Sequence, residues 1–460
     1  RAEMIDVPRA LLDRHDKAGP RYTSYPTVPV WSAGFGAEDY REALAALAGR
    51  PDEALSVYLH LPFCAKRCHY CGCNSEQACG REAVDAYLDR VEEELALVTG
   101  IVGTGRSVVQ MHWGGGTPNY LDEKQLRRAV GMMRAAFTFA PAAEISLETD
   151  PRIGTPAQAA LLRELGFDRV SLGVQDFEPR VQQAIGRIQS EERTRRFYAA
   201  CREAGFAGVN LDLVYGLPGQ TLDSFGRTLD TVLDLAPDRV ACFSYAHVPW
   251  VRPNQEQVDT SRMPGAHLKF DLFRRAIARF ADAGYDWIGI DHFARREDEL
   301  AVALRERRLH RNFMGYTTHP ELRMLAFGMS GISDLGDAFA QNDANLARYQ
   351  ETVAAGRLPI VRGHRLSPDD RLRRLAILNL MCNLELPFEL SRAEFGVRLD
   401  EALAPALARL EPYVDEGFVV REDDRIRITD LGRFFVRNVC MELDAYLDGA
   451  GERPLFSRTI

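Results

Sequence analysis

The 460-residue sequence lacks any apolar run approaching the roughly 20 residues that cross a bilayer, so no membrane span is expected. It also lacks a basic surplus. Lysine and arginine number 57 against 66 aspartates and glutamates, a net charge of −9. Nucleic-acid binders need basic clusters to neutralise phosphates, so no nucleic-acid partner is expected. Residues 1–10 hold no apolar leader core, and the chain is expected in the reducing cytoplasm. What remains is ordinary for a globular enzyme: 46% hydrophobic and 27% charged residues, with length for about two or three domains.

Four of the nine cysteines fall in one ten-residue run, Cys64-Ala65-Lys66-Arg67-Cys68-His69-Tyr70-Cys71-Gly72-Cys73. Thiolates at C-x3-C-x2-C spacing can wrap one corner of a small metal centre. Iron–sulfur clusters normally take four Cys thiolates. Three ligands would leave one iron open to a small molecule. Two other readings stand beside this one. Structural zinc usually takes two Cys/His pairs a dozen or more residues apart, and no second pair follows here. A disulfide is disfavoured because nothing marks the chain as secreted. The remaining cysteines, Cys79, Cys201, Cys242, Cys382 and Cys440, are scattered and read as small buried hydrophobes.

From Leu55 the sequence alternates strand and helix patterns. Leu55, Val57, Leu59 and Leu61 alternate with Ser56, Tyr58 and His60, a period of two. Val84, Tyr87, Leu88, Val91, Leu95 and Val98 then share one helical face. Further strands are predicted over 108–113, 144–149, 169–175, 209–214 and 239–246, with a seventh over 285–290 and helical stretches between nearly all of them. Such alternation implies βαβ units on a parallel sheet. The expected fold is α/β, a partial (β/α)6 TIM-like barrel, with an open doubly wound sheet as the alternative. In either, chemistry sits at the C-terminal ends of the strands. That rule gathers Tyr58, the cysteines, Gly115 to Thr117, Glu148, Gln175, Asp212 and Ala246 at one mouth. Gly114-Gly115-Gly116-Thr117-Pro118 fits no phosphate-loop pattern. It is either a tight turn or a place where backbone approaches a ligand, and its position one strand from the cysteines favours the ligand.

Three divisions are expected: an N-terminal arm or lid over 1–50, the barrel over 51–362, and a mostly α-helical C-terminal domain over 363–460. Gly19 to Thr27 has neither helical nor strand period and carries two prolines. It reads as a strap covering apolar surface, or more sharply as a lid in which Arg21 and two tyrosines meet a flat anionic ligand. The strap is preferred. The C-terminal pattern has helices over 371–381 and 431–447 around a hairpin with Glu422-Asp423-Asp424 at its tip, a winged-helix-like layout. Its 14 basic against 18 acidic residues argue for a packing or lid domain rather than DNA binding. His60 and His112 read as satisfied core groups, and Arg305 to Arg308 as a solvated helix face. Asp291 and His292 stand at even odds of facing the mouth.

The Cys64/Cys68/Cys71 spacing followed by the glycine-rich strand end resembles the radical S-adenosylmethionine superfamily. Gly19 to Thr27, His112 to Pro118, Gly173 to Phe177, Asp212 to Pro218, Tyr245-Ala246-His247 and His310 to Phe313 narrow the resemblance. Over nearly the whole length, the chain is similar to the oxygen-independent coproporphyrinogen III oxidase (dehydrogenase) family. The resemblance implies one [4Fe–4S] cluster on Cys64, Cys68 and Cys71, with Cys73 not a ligand, and two S-adenosylmethionine molecules. Tyr58, Gly115 and Glu148 would hold the first of these. Tyr70, Gly116, Thr117, Gln175, Arg187, Asp212, Ala246 and Ile332 would hold the second. The chain departs from the family at Met314, usually Gln, and mildly at Tyr70, usually Phe.

The implied reaction is decarboxylation of two propionates of coproporphyrinogen III to vinyls, for haem biosynthesis. A 5′-deoxyadenosyl radical would abstract hydrogen, with an unidentified electron donor and acceptor. Arg21 and Arg311 are candidates for the substrate carboxylates, since a planar guanidinium matches them bidentately. A monomer is expected. The rival readings are a haem chaperone of the same superfamily and a radical enzyme acting on another tetrapyrrole. Prepared without oxygen, the chain should contain iron and sulfide rather than zinc, and added S-adenosylmethionine should change the cluster's spectrum. Metal analysis and paramagnetic resonance check both.

Overall fold

The computed structural model describes residues 5–77, 80–320, 322–447 and 456–459. Six strands run in chain order: β1 (Leu55–Leu61), β2 (Arg106–Gly115), β3 (Phe137–Thr149), β4 (Arg169–Gln175), β5 (Gly208–Tyr215) and β6 (Arg239–Ser244). Each pairs in parallel with the next. Helices Arg81–Val102, Glu123–Ala136, Pro156–Glu164, Glu191–Glu203 and Leu222–Leu235 lie in the crossovers. This is the expected partial α/β barrel.

Two features of the sheet differ from the expectation. The 285–290 stretch forms a short strand, β7 (Tyr285–Trp287), that turns back into β8 (His292–Arg295). β8 is antiparallel to both β6 and β7. Four residues separate β7 from β8, too few for the crossover that a parallel neighbour requires. The seventh parallel strand is instead β9 (Arg323–Phe327), on the far side of β1. Beyond it β10 (Ile332–Asp334), β11 (Ala338–Asn342) and β12 (Ile360–Arg365) pair antiparallel, completing a twelve-stranded sheet.

The period of two separates the sheet's faces. On one face Leu55, Val57, Leu59 and Leu61 are fully buried with Val84, Tyr87, Leu88, Val91, Leu95 and Val98 of the following helix. The other face is polar: Tyr58, His112, Glu148, Ser171, Asn210 and Asp212 come from successive strands. Glu94 is the exception under the helices. It is buried, and accepts from the Gly328 N–H at 2.8 Å, the Tyr349 hydroxyl at 2.7 Å and Asn342 Nδ2 at 2.6 Å. This fastens the Arg81–Val102 helix to the β9–β11 side of the sheet.

The residues before position 50 divide between two cores. Helix Ala37–Ala48 buries Tyr40, Leu44 and Leu47 in the barrel core. Tyr22 and Tyr25 are buried with the C-terminal segment instead. The Tyr22 hydroxyl donates to Asp444 at 3.0 Å, and the Ala445 N–H donates to Tyr25 at 3.0 Å. Both tyrosines are thus spent on packing, as a strap requires. The C-terminal segment has helix Pro368–Asn383 and a three-stranded sheet. The helix expected over 431–447 shortens to a 3-10 turn, Gly432–Phe435, and helix Val436–Met441. Asp444 then accepts from the Tyr446 N–H at 2.9 Å, a side-chain turn that competes with helix.

Cys201, Cys242, Cys382 and Cys440 are buried free thiols, whereas Cys79 lies outside the described residues. Among the described residues, no helix is long and apolar enough to cross a membrane.

Burial raises the Glu94 carboxyl to about 7, against its three donors. The folded state therefore holds this proton more tightly than the unfolded chain. The resulting stability is present below the unfolded value near 4.5 and is lost as pH rises through about 7. Relative to wild type, Glu94→Gln should cost more stability at pH 5 than at pH 8, and Tyr349→Phe should cost about 1–3 kcal/mol. Denaturant melts at the two pH values read both.

Candidate metal and cofactor site

The cysteine loop leaves the C-terminal end of β1 and has no helix or long strand to shape it. Tertiary contacts hold it. Asn254 Nδ2 donates to the carbonyls of Cys68, His69 and Cys71 at 3.2, 3.0 and 3.0 Å. Gln255 Nε2 donates to the Tyr70 carbonyl at 2.8 Å, and Arg252 to Asn74 Oδ1 at 2.8 Å. The His69 N–H donates to the Ile185 carbonyl at 3.0 Å.

The thiols face polar and cationic neighbours. The Thr117 hydroxyl donates to Cys64 Sγ at 3.3 Å. Arg187 and Arg152 point N–H groups at Cys68 Sγ from 3.7 and 3.8 Å. The Cys73 N–H donates to Cys71 Sγ at 3.4 Å. Burial pushes the Cys64 thiol up to about 11, whereas donation from Cys73 brings Cys71 down to about 6. Among the described residues, no three His, Cys, Asp or Glu side chains are grouped to hold a single ion. Three soft sulfur donors with cationic N–H partners fit an anionic iron–sulfur cluster, whose potential such hydrogen bonds tune.

Tyr58, Gly115 and Glu148 come together beside the loop. The Gly115 N–H donates to Glu148 Oε2 at 3.1 Å. Burial opposes the charge on Glu148, but His112 and the Gly115 N–H outweigh it and hold the carboxyl below its usual range. Tyr58 pairs with His60 Nδ1 at 3.1 Å. Gly115 has φ +116°, and a Cβ there would meet the His60 ring at 2.6 Å. A Cβ at Gly116 would drive into the Pro62 carbonyl. The glycine run thus lets β2 pass against His60 and the start of the cysteine loop, so the close approach seen is to the chain itself rather than to a ligand. His60 also reaches the Asn74 carbonyl at 2.8 Å, and His112 reaches Ser146 at 2.8 Å. Both histidines are hydrogen-bonded, and both stand against site residues.

The other predicted residues are more dispersed. Gln175 ends β4 with φ +70°, a left-handed conformation costly for a residue with a side chain. Arg187 is committed to Asp150 at 3.1 Å and to the Gly173 carbonyl at 2.6 Å. Tyr70 packs beside the buried Val181, Leu217 and Tyr245. The Ala246 carbonyl accepts from Gln255 at 3.3 Å. Asp212 accepts from Ser171 at 2.9 Å and Asn210 at 2.7 Å; burial and nearby Glu148 raise it to about 6. Glu148, Asp212, His112, His292 and Met314 line one cavity of about 200 Å³ inside the barrel. Ile332 stands apart from that cavity, packed near Trp31 and Phe339.

Arg21 and Arg311 both act on one buried carboxylate. Arg21 lies 3.3 Å from Asp291, which also bonds His292 at 2.6 Å. His292, Arg21 and Arg311 overcome the burial penalty and hold Asp291 well below the usual carboxylate range. Arg311 donates to the Tyr316 hydroxyl at 3.1 Å, and its buried Nε has no partner among the described residues.

Sequence reasoning missed Arg152 and Asp150 beside Cys68, and the Asn254–Gln255 brace. Asp150 directly follows β3, so the strand-end rule would have found it. The brace carries no local signal, since 186 positions separate Asn254 from Cys68.

Comparison with known proteins adds three findings. The Radical SAM superfamily matches residues 58–232, and the HemN C-terminal domain matches 366–435. Oxygen-independent coproporphyrinogen III oxidase of Salmonella typhimurium is 42% identical over all of this chain and 99% of that one. The Escherichia coli protein of the same name is 41% identical, again over 100% and 99%. The solved structure of coproporphyrinogen III oxidase from Escherichia coli superposes with a TM-score of 0.91 at 40% identity, covering 96% of this chain and 100% of that one.

Asn254→Ala should speed amide exchange across residues 66–73 and lower the iron retained after reconstitution. Far-ultraviolet circular dichroism should stay unchanged.

Proposed function

From this chain's membership of the oxygen-independent coproporphyrinogen III oxidase family, within the radical SAM superfamily, we propose that it decarboxylates two propionates of coproporphyrinogen III to vinyls. The product is protoporphyrinogen IX, and the place of the reaction is haem biosynthesis. The observation that carries this reading is the meeting of a three-thiol loop, a glycine strand end and Glu148 at the mouth of a polar barrel cavity.

The cofactors are a [4Fe–4S] cluster and two molecules of S-adenosylmethionine. Together, when bound, they supply one-electron cleavage of a carbon–sulfur bond and hydrogen abstraction from the propionate β-carbon. Cys64, Cys68 and Cys71 would hold the cluster. Thr117, Arg152 and Arg187 would steady its thiolates by hydrogen bonds. Tyr58, Gly115 and Glu148 would hold the first S-adenosylmethionine. Glu148 is kept ionised and suits an ammonium group. Tyr70, Gly116, Thr117, Gln175, Arg187, Asp212, Ala246 and Ile332 are assigned to the second. In this assignment Asp212 offers a carboxylate acceptor in the shared cavity, and Met314, where the family usually has an amide, lines the same cavity. Arg21 and Arg311, which both act on Asp291, are assigned in this reading to substrate carboxylates.

A reactive radical also calls for a site closed to water. The strap formed by Tyr22 and Tyr25 and the C-terminal segment serve that closure. The working form proposed here is a monomer in the cytoplasm. An external donor delivers the electron, and an external acceptor removes the last one.

Incubated without oxygen with reductant, S-adenosylmethionine, an electron acceptor and coproporphyrinogen III, the reconstituted chain should release a product lighter by two carboxyl groups and two β-hydrogens. Mass spectrometry of the tetrapyrrole reads it. Formation of 5′-deoxyadenosine with the tetrapyrrole intact, or stable haem binding without decarboxylation, overturns the reading. Glu148→Gln should lower turnover on the order of 100-fold, because a misplaced reactant loses orientation.

A further inference from the structure

Beneath the N-terminal strap, where β5 and β6 end, lies a cavity of about 40 Å³. Arg21, Arg433 and Arg437 line it together with Tyr215, Ser244 and Ile290, and none of its described lining residues is acidic. The arginines find mostly neutral partners. Arg437 is buried and donates to the main-chain oxygens of Gly19, of Pro20 at 2.9 Å, of Arg458 at 3.1 Å and of Thr459 at 3.2 Å. Arg433 donates to the Trp287 carbonyl and lies 4.3 Å over that ring. Lys269, just outside the lining, donates to the Tyr245 carbonyl at 3.2 Å.

The carboxylates nearby are already engaged. Asp291 is shared by Arg21 and His292, and Asp16 is held by Arg458 at 2.6 Å. Asp430 and Asp286 act on Arg433 from outside the cavity. Burial and mutual repulsion therefore pull the cations down, Lys269 to about 8, Arg437 to about 9 and Arg433 to about 10. Burying unpaired charge is expensive and is ordinarily avoided. A cavity that holds three guanidinium groups, of which Arg21 is paired with Asp291, and has no acid in its own described lining is complementary to an anion. Its volume exceeds the roughly 10–15 Å³ that one water needs, which leaves room for a small polar group such as a carboxylate.

We propose that this cavity receives one carboxylate of the tetrapyrrole substrate, with Arg433 and Arg437 as its hydrogen-bond donors and Arg21 closing it from the strap. The assignment rests on the substrate reading above and adds a residue set from the C-terminal segment to it. That segment thereby contributes to substrate recognition as well as to closure. The same chemistry would suit the methionyl carboxylate of S-adenosylmethionine, and the test separates the two.

The full chain carrying its cluster is titrated without oxygen with coproporphyrin III, the oxidised macrocycle bearing the same four carboxylates, and with its tetramethyl ester. Fluorescence quenching reads both. Arg433→Met and Arg437→Met should each weaken tetraacid binding by about 10-fold or more, the value of a lost charged hydrogen bond. Ester binding and S-adenosylmethionine binding should stay unchanged. Arg433→Lys should retain most of the tetraacid affinity. Because Arg437 also anchors the strap, the Arg433→Met and Arg433→Lys pair decides the question if Arg437→Met does not fold. Unchanged tetraacid affinity in Arg433→Met overturns the inference, as does a loss confined to S-adenosylmethionine. Equal binding of acid and ester by wild type also overturns it, while the vinyl-product assay judges the activity separately.

Discussion

A loop that must gather three thiols around one point cannot shape itself by backbone hydrogen bonds, because a helix would string Cys64, Cys68 and Cys71 along about 10 Å of one face and a strand would split them between faces. The loop here is held from outside. One carboxamide, that of Asn254, gathers three of its carbonyls, and Ile185, Gln255 and Arg252 fix its flanks. Thr117 and the Arg152–Arg187 pair then reach two of the sulfurs. These partners come from four segments: Thr117 after β2, Arg152 after β3, Ile185 and Arg187 after β4, and Arg252, Asn254 and Gln255 after β6. The parallel sheet is what brings those loops to one end, so the metal site depends on the barrel being complete.

The sheet also sorts chemistry by parity. Side chains one residue apart on a strand face opposite ways, and six parallel strands in register carry the same parity across the barrel. Apolar residues go under the helices and polar ones inward. This is how Glu148, Asp212, His112 and His292 come to share one cavity from strands far apart in the chain. Within it, charge is apportioned unequally. Glu148 is stabilised as the anion by a histidine and a backbone N–H, whereas Asp212 is raised by burial and by Glu148 itself. Two carboxyls a strand or two apart are thus given different protonation behaviour by their surroundings.

The strap and the C-terminal segment form one unit in space though they are the two ends of the sequence. Tyr22, Tyr25 and the main chain of Gly19 and Pro20 are anchored by Asp444, Ala445 and Arg437. Their shared apolar core is distinct from that of the barrel. This arrangement leaves Arg21 at the barrel end, between Asp291 and the cationic cavity. A segment whose tyrosines were free to stack on a ligand would lack that anchorage.

Much of the architecture was legible because it is written in local periodicity. The alternation 55-57-59-61 and the helical face 84-87-88-91-95-98 are properties of consecutive residues, and both strand and helix formed where they predict. The C-x3-C-x2-C run and the glycine strand end were equally local. β7 was misplaced because its pattern says strand but not which neighbour; the four-residue return to β8 decides that. β9 lies beside β1 although 268 positions separate Leu55 from its partner Arg323, a pairing no local window contains. The sequence by itself determined which residues have the chemistry and which face of each element they occupy. The tertiary structure alone decided that Asn254 would brace the cysteines, that Tyr22 and Tyr25 would be buried, and that arginines from both ends of the chain would share one cavity. Those outcomes depend on charges and carbonyls meeting across hundreds of residues, where the energy lies in the contact and not in the spacing.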